Sequence, residues 1–162
     1  MSELVPKMEL PKITDEHDAL LEEVAKAMGS RHWFLIGVDG REHAGKSTIG
    51  RFLALNLNMP CIETDLFILH RNDGAHQEKV EYRDEELMRV IETRLIPGRP
   101  MAVEGIFLLK TLERIGMKPD YLIYAVNEDF EGSETRRSQF EAYEKEYRPM
   151  EKANKVISLQ GE

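Results

Sequence analysis

The chain has 162 residues, 41% apolar and 32% charged, enough for one domain around a single core. Its 22 Lys plus Arg against 30 Asp plus Glu give a formal charge of −8, which argues against general nucleic-acid binding, since that depends on neutralising phosphates. Cys61 is the one cysteine, so no intrachain disulfide is possible, and no apolar run reaches membrane-spanning length. The first residues, Met1 to Lys7, lack a basic-then-apolar signal pattern, and the expectation is a cytoplasmic protein without membrane contact. In chain order, residues 1–14 carry Pro6 and Pro11 and read as an extended lead-in. Asp15 to Met28 reads as a helix with Leu20, Leu21, Val24, Ala27 and Met28 on one stripe and Gly29 to end it. Trp33 to Asp39 has strand character, and Thr48 to Leu57 places Ile49, Phe52, Leu53 and Leu57 at helical spacing. Met59 to Thr64 gives a short second strand that delivers Asp65, after which residues 70–77 are polar with a turn at Asn72-Asp73-Gly74. Asp84 starts a helix with Leu87, Val90, Ile91 and Leu95, stopped by Pro97-Gly98. Pro100 to Val103 is a third strand ending in Glu104-Gly105, followed by a short helix from Phe107 to Ile115. Tyr121 to Val126 is a fourth strand, Ser133 to Tyr147 a charged helix within a short lid region at 127–149, and Lys155 to Leu159 a final strand. Strands alternating with helices imply an α/β fold of three layers, a parallel sheet with helices on both faces and ligands at the carboxyl ends of the strands.

Between the first strand and its helix lies Gly40-Arg41-Glu42-His43-Ala44-Gly45-Lys46-Ser47, followed by Thr48, which fits the phosphate-loop pattern G-x-x-x-x-G-K-[ST]. At average composition the bare pattern arises in roughly one chain of this length in two hundred. The flanking strand and helix make chance rarer still, because that arrangement aims backbone N–H groups and a helix N-terminus at one anion. The expectation is that Gly40 to Thr48 binds ATP, with Lys46 reaching the β- and γ-phosphates and the Ser47 hydroxyl ligating Mg²⁺.

Phosphoryl transfer also needs a group to orient or deprotonate the acceptor, a second metal contact, and positive charge over the moving phosphoryl. Asp65 and Glu104 are the acidic residues that end apolar strands after the loop, on the same expected rim. Gly37 to Thr48, Glu63-Thr64-Asp65-Leu66-Phe67 and Ala102-Val103-Glu104-Gly105-Ile106-Phe107-Leu108-Leu109 together resemble the uridine kinase-like branch of the P-loop kinases. The similarity continues through Pro119 to Tyr124, Arg136-Arg137 and Tyr147-Arg148-Pro149, and covers about residues 33–158. The resemblance implies a five-stranded sheet in the order 2-3-1-4-5, Asp65 as base for the acceptor hydroxyl, Glu104 with Ser47 at Mg²⁺, and Arg136 and Arg137 as lid arginines. Adjacent helical residues point about 100° apart, so one of the two arginines is expected to reach the γ-phosphate.

Two features of that branch are reduced. Leu95 to Pro100 runs almost directly from helix to strand with no hairpin to enclose a nucleobase, and the lid arginines are an adjacent pair. His70 and Arg83 lie near the expected acceptor and are substrate candidates beside Asp65, while His43 is expected to face solvent. Arg148 either turns onto the phosphates or pairs with an acidic neighbour such as Glu144. The leading expectation is an ATP-dependent kinase for a hydroxyl of a small molecule. The alternative is an ATP-binding module, a degenerate kinase or nucleotide-dependent switch, without an acceptor. A GTPase is disfavoured: Asp129 to Gly132 matches D-x-x-G but follows the fourth strand, and no N-K-x-D motif is present.

Overall fold

Five short strands, β1 (Leu35–Gly40), β2 (Cys61–Glu63), β3 (Met101–Glu104), β4 (Tyr121–Val126) and β5 (Lys155–Ser158), form one sheet in the computed structural model, which describes residues 12–69 and 79–158. All pairings are parallel, in the order β2-β3-β1-β4-β5 that the resemblance implied. Alternation along the strands sorts the core into two layers. Ile36, Val38, Ala102 and Ile123 face a cluster closed by helices α1 (Asp15–Met28) and α2 (Lys46–Asn56). Leu35, Met101 and Val103 face the other, closed by α3 (Asp84–Leu95) and α4 (Leu108–Arg114). The N-terminal helix α1 covers one face of the sheet: Leu20 and Val24 are fully buried in the same cluster as Ile49 and Leu53 of α2.

Helix α5 (Glu134–Tyr147) packs on α4 through Phe140 and Tyr143, whose rings meet Phe107, and a further short helix, α6 (Pro149–Lys152), precedes β5. Both ends of the second strand differ from the sequence reading. The second strand is confined to Cys61–Glu63, because Pro60 has no N–H to donate to the ladder and contributes only its carbonyl, to Ala102 N at 3.0 Å. Asp65 consequently sits not at the strand end but in a single 3₁₀ turn, Thr64–Phe67. No helix among the described residues is long and apolar enough to cross a membrane.

Candidate active site

The phosphate loop leaves the central strand at Gly40, where φ is 151° and a Cβ would fall 2.4 Å from the carbonyl oxygen of Ala125 on β4. Gly45 closes the loop in the left-handed region, φ 83°, as the residue that caps α2. Lys46 and Ser47 therefore begin a helix whose first N–H groups have no partner within it. The Lys46 ammonium lies almost wholly inside, donating to the carbonyl of Arg41 at 2.6 Å. Burial pushes its pKa down, against the pull of Glu104, Asp39, Glu42 and Asp65. Ser47 Oγ donates to Glu104 Oε1 at 2.8 Å. Glu104 is buried, and desolvation raises its pKa despite that hydrogen bond and the nearby Lys46.

Strand register brings Glu63 of β2 beside Glu104 of β3, so the turn that follows carries Asp65 onto the loop's rim. Loop residues 42–48, Asp65, Glu104 and Arg136 all line one cavity of about 460 Å³, joined by Thr64, Ile68 and Tyr82. Ser47 Oγ and the Glu104 carboxylate are the adjacent oxygens that could face a hard cation. Among the described residues no group of three or more His, Cys, Asp or Glu side chains gathers into a closed metal cage. Mg²⁺ needs none, since it keeps several waters and draws other ligands from substrate phosphates, so this donor pair fits it.

The loop positions that the pattern leaves free turn out to hold α5. Glu42 receives Arg136 Nη1 at 2.6 Å and the backbone N–H of Ser133 at 2.9 Å. Burial works against its charge, but these bonds outweigh it and keep the carboxyl below its ordinary pKa. Arg41 reaches outward, with Nε and Nη2 each 2.7 Å from a different oxygen of Glu144, which also accepts from Tyr124. Beneath the loop, the fully buried Asp39 accepts from Gly40 N at 2.8 Å, Leu108 N at 3.4 Å and the Tyr143 hydroxyl of α5. None of these links was read from the sequence. Positions 41 and 42 are variable in the motif, and nothing local in the chain signals a partner a hundred residues away.

The two arginines expected in a lid separate. Arg136 lines the cavity, whereas Arg137 is half exposed on the outer side, 3.9 Å from Glu131. Arg83 is turned away from the cavity, bonded to Glu86 and to the carbonyl of Leu66, each at 2.7 Å, with its guanidinium over Phe67. His70 lies outside the described residues. His43 is exposed, its ring edge-on to Phe130 at 5.0 Å. Arg148 pairs with Glu151 at 3.3 Å, not with Glu144, which Arg41 occupies. Thr64 and Tyr82 are cavity residues that sequence reasoning missed; Gly105, directly after Glu104, was the available hint that a side chain presses against that backbone.

Among solved structures, a possible uridine kinase from Bacillus stearothermophilus superposes on 88% of this chain and 97% of its own, with a TM-score of 0.63 and 18% identity. The fold is that of the P-loop kinases. A family model described as shikimate kinase matches residues 43–100, the stretch from the phosphate loop to the start of β3. A shikimate kinase from Rhizobium leguminosarum bv. trifolii is 34% identical over 90 residues, 53% of this chain and 44% of that protein. A cytidylate kinase from Leuconostoc mesenteroides subsp. mesenteroides is 34% identical over 82 residues, 48% of this chain and 36% of that protein. The chain thus spans under half the length of these curated relatives, whose names differ in the acceptor.

Proposed function

We propose that this P-loop protein is an ATP-dependent phosphotransferase that moves the γ-phosphoryl group onto a hydroxyl of a small molecule. The observation that carries the reading is the convergence of Lys46, the Ser47–Glu104 pair, Asp65 and Arg136 on one cavity. Lys46 and Arg136 supply positive charge on the phosphate side. Ser47 and Glu104 would hold Mg²⁺, which when bound neutralises charge on the β- and γ-phosphates. Asp65, exposed on the rim of the same cavity, accepts the proton of the incoming hydroxyl. A module that only bound nucleotide would have no use for a cavity continuing past the loop to Asp65 and Tyr82, which favours an acceptor. The differing names of the relatives leave the acceptor at the level of a small alcohol.

The test is a melting curve with Mg-ATP, joined to a screen of sugars, nucleosides and cofactor precursors for stimulated ADP release. At a hundred times its Kd, nucleotide adds about 2.7 kcal/mol to the native state. For a chain of this size that is about 5 to 10 °C in Tm. Lys46→Ala should remove most of the shift. Equal shifts in wild type and variant would sink the phosphate-site reading, and a silent screen would favour the module without an acceptor.

A further inference from the structure

The acceptor wall of the cavity holds two neighbouring hydroxyls that fall short of hydrogen-bond geometry with each other and have no other partner among the described residues. Thr64 is 1% exposed and Tyr82 6%, and both line the cavity beside Asp65. Neither Thr64 Oγ1 nor the Tyr82 phenol completes a hydrogen bond among the described residues. Buried polar groups are nearly always satisfied, so two orphans side by side in a cavity need a reason. Their placement is not slack. Leu69 N donates to Glu81 O at 2.8 Å and Arg83 N to Phe67 O at 2.7 Å, fixing Tyr82 in a bridge with Ile68. The Arg114 guanidinium lies 5.9 Å from the centre of the Tyr82 ring. Thr64 is held as closely: a Cβ on Gly105 would fall 1.8 Å from its hydroxyl oxygen, so glycine there is what makes room for it.

We propose that the Tyr82 and Thr64 hydroxyls form a second anchor for the acceptor, bonding a neutral hydroxyl adjacent to the one that receives the phosphoryl group, so that the acceptor is a polyol. This rests on the kinase reading above and narrows it. A hydroxyl both donates and accepts, and so does each of these side chains, so a ligand hydroxyl matches them in either direction. Burial pushes the phenol up to about 12, against the Thr64 hydroxyl, Arg114 and Arg136, so it keeps its proton at neutral pH and can donate. Asp65 and Arg136, which both act on that phenol, are the groups flanking the expected path of the phosphoryl. One ligand hydroxyl on Asp65 and its neighbour on Tyr82 and Thr64 would fix the direction of attack, where a simple alcohol could rotate. A water held at the anchor between turnovers gives way to a ligand group of the same valence.

The experiment measures equilibrium binding to the full chain, with saturating Mg-ADP, of polyols and the deoxy partners that remove the hydroxyl neighbouring each candidate acceptor: glycerol and 1,3-propanediol, D-ribose and its 2- and 3-deoxy forms, D-glucose and its 2-, 3- and 4-deoxy forms, uridine and its 2′- and 3′-deoxy forms. Tyr82→Phe and Thr64→Val are compared with wild type, and ADP release from Mg-ATP is followed in parallel. At least one polyol should bind about tenfold more tightly than its deoxy partner, and either variant should erase that preference while leaving Mg-ADP affinity unchanged. Without ligand, both variants should melt at or slightly above the wild-type temperature, because each removes a buried group that lacks a partner. A purely structural role predicts the opposite sign, so a loss of several degrees in both variants would overturn the anchor. So would a wild type that binds Mg-ADP but shows no polyol preference, or a preference that survives both substitutions. If Mg-ADP itself fails to bind, the kinase reading falls and the anchor with it. If polyols bind through the anchor yet none is phosphorylated, the kinase reading falls, and Tyr82 and Thr64 form a polyol-binding site that anchors no acceptor.

Discussion

The two walls of the cavity are finished to different degrees. On the phosphate side every charged group already has a partner within the protein: Lys46 on Arg41 O, Ser47 on Glu104, Glu42 on Arg136, Arg41 on Glu144. On the acceptor side Asp65 is exposed, and the buried Thr64 and Tyr82 hydroxyls complete no hydrogen bond among the described residues. The phosphate wall is thus tied together by bonds among its own residues. The acceptor wall is rigid in its backbone but unsatisfied at its tips. Preorganisation for a common ligand and open valence for a particular one can coexist in a single rim because separate chain segments build them.

The largest effect that tests this contrast belongs to Asp65. Asp65→Asn keeps the shape of the side chain but removes the charge that accepts a proton. With an acceptor identified by the ADP-release screen, turnover should fall by about 10² to 10⁴-fold. Affinity for Mg-ATP should hold within about twofold, since the phosphate wall is built from other residues. Parallel losses in turnover and nucleotide affinity would mean that the two walls are one unit after all.

What the sequence made legible follows the same division. The phosphate loop is a contiguous pattern between a strand and a helix, so Gly40, Gly45, Lys46 and Ser47 could be placed at one loop and the start of one helix, where the structure has them. Glu104 and Asp65 could be placed because strand ends in a parallel sheet share a rim, although the 3₁₀ turn that presents Asp65 was not foreseen. Tyr82 could not be read: it reaches the cavity through an isolated bridge to Ile68 across a chain segment with no periodicity. Arg83, its neighbour, is the substrate candidate that the resemblance offers near the expected acceptor, but its guanidinium is taken by Glu86 and Leu66 O. Adjacent residues in an extended segment point to opposite sides, and sequence alone does not say which side is inward. Asp39 looked like the end of an apolar strand; only the tertiary fold brings Tyr143 to it.

Asp39 gives the next effect in size and tests whether the phosphate wall is strained by its own completeness. Burial raises its pKa from 3.8 to about 6, against the hydrogen bonds from Tyr143, Gly40 and Leu108 and the nearby Lys46. A carboxyl that binds its proton more tightly when folded favours the fold at low pH, and this contribution is lost as pH rises. It should be fully present below about pH 4, decline between pH 4 and 6, and be gone above 6. At about 1.4 kcal/mol per pKa unit the loss is on the order of 2 to 3 kcal/mol. Denaturant unfolding of wild type and Asp39→Asn across pH 4 to 7 isolates it, because other carboxylates cancel in the difference. Wild-type stability should fall relative to the variant by that amount as pH rises through the window. A flat difference would mean that the Gly40, Leu108 and Tyr143 bonds fully compensate burial.

The smallest predicted effect separates Arg136 from Arg137, neighbours in sequence that the helix turns to different surroundings. Arg136 lines the cavity and is held by Glu42 at 2.6 Å, whereas Arg137 is half exposed and only 3.9 Å from Glu131. A hydrogen bond from a charged donor is worth about 1.5 to 3 kcal/mol, and an exposed ion pair about 0 to 1. Glu42 competes for Arg136 before nucleotide binds, so the lower end applies, and Arg136→Ala should cost about tenfold in turnover. Arg137→Ala should stay within about twofold. The competition itself is testable, because Glu42→Gln keeps an acceptor for Ser133 N but weakens the hold on Arg136. If Glu42 merely occupies the guanidinium until a phosphate arrives, the Gln variant should bind Mg-ATP slightly more tightly. If Glu42 positions Arg136 for the transfer, the variant should instead lose turnover alongside Arg136→Ala. Equal losses in Arg136→Ala and Arg137→Ala would show that neither arginine follows the moving phosphoryl group, and that the lid helix serves only to close the loop.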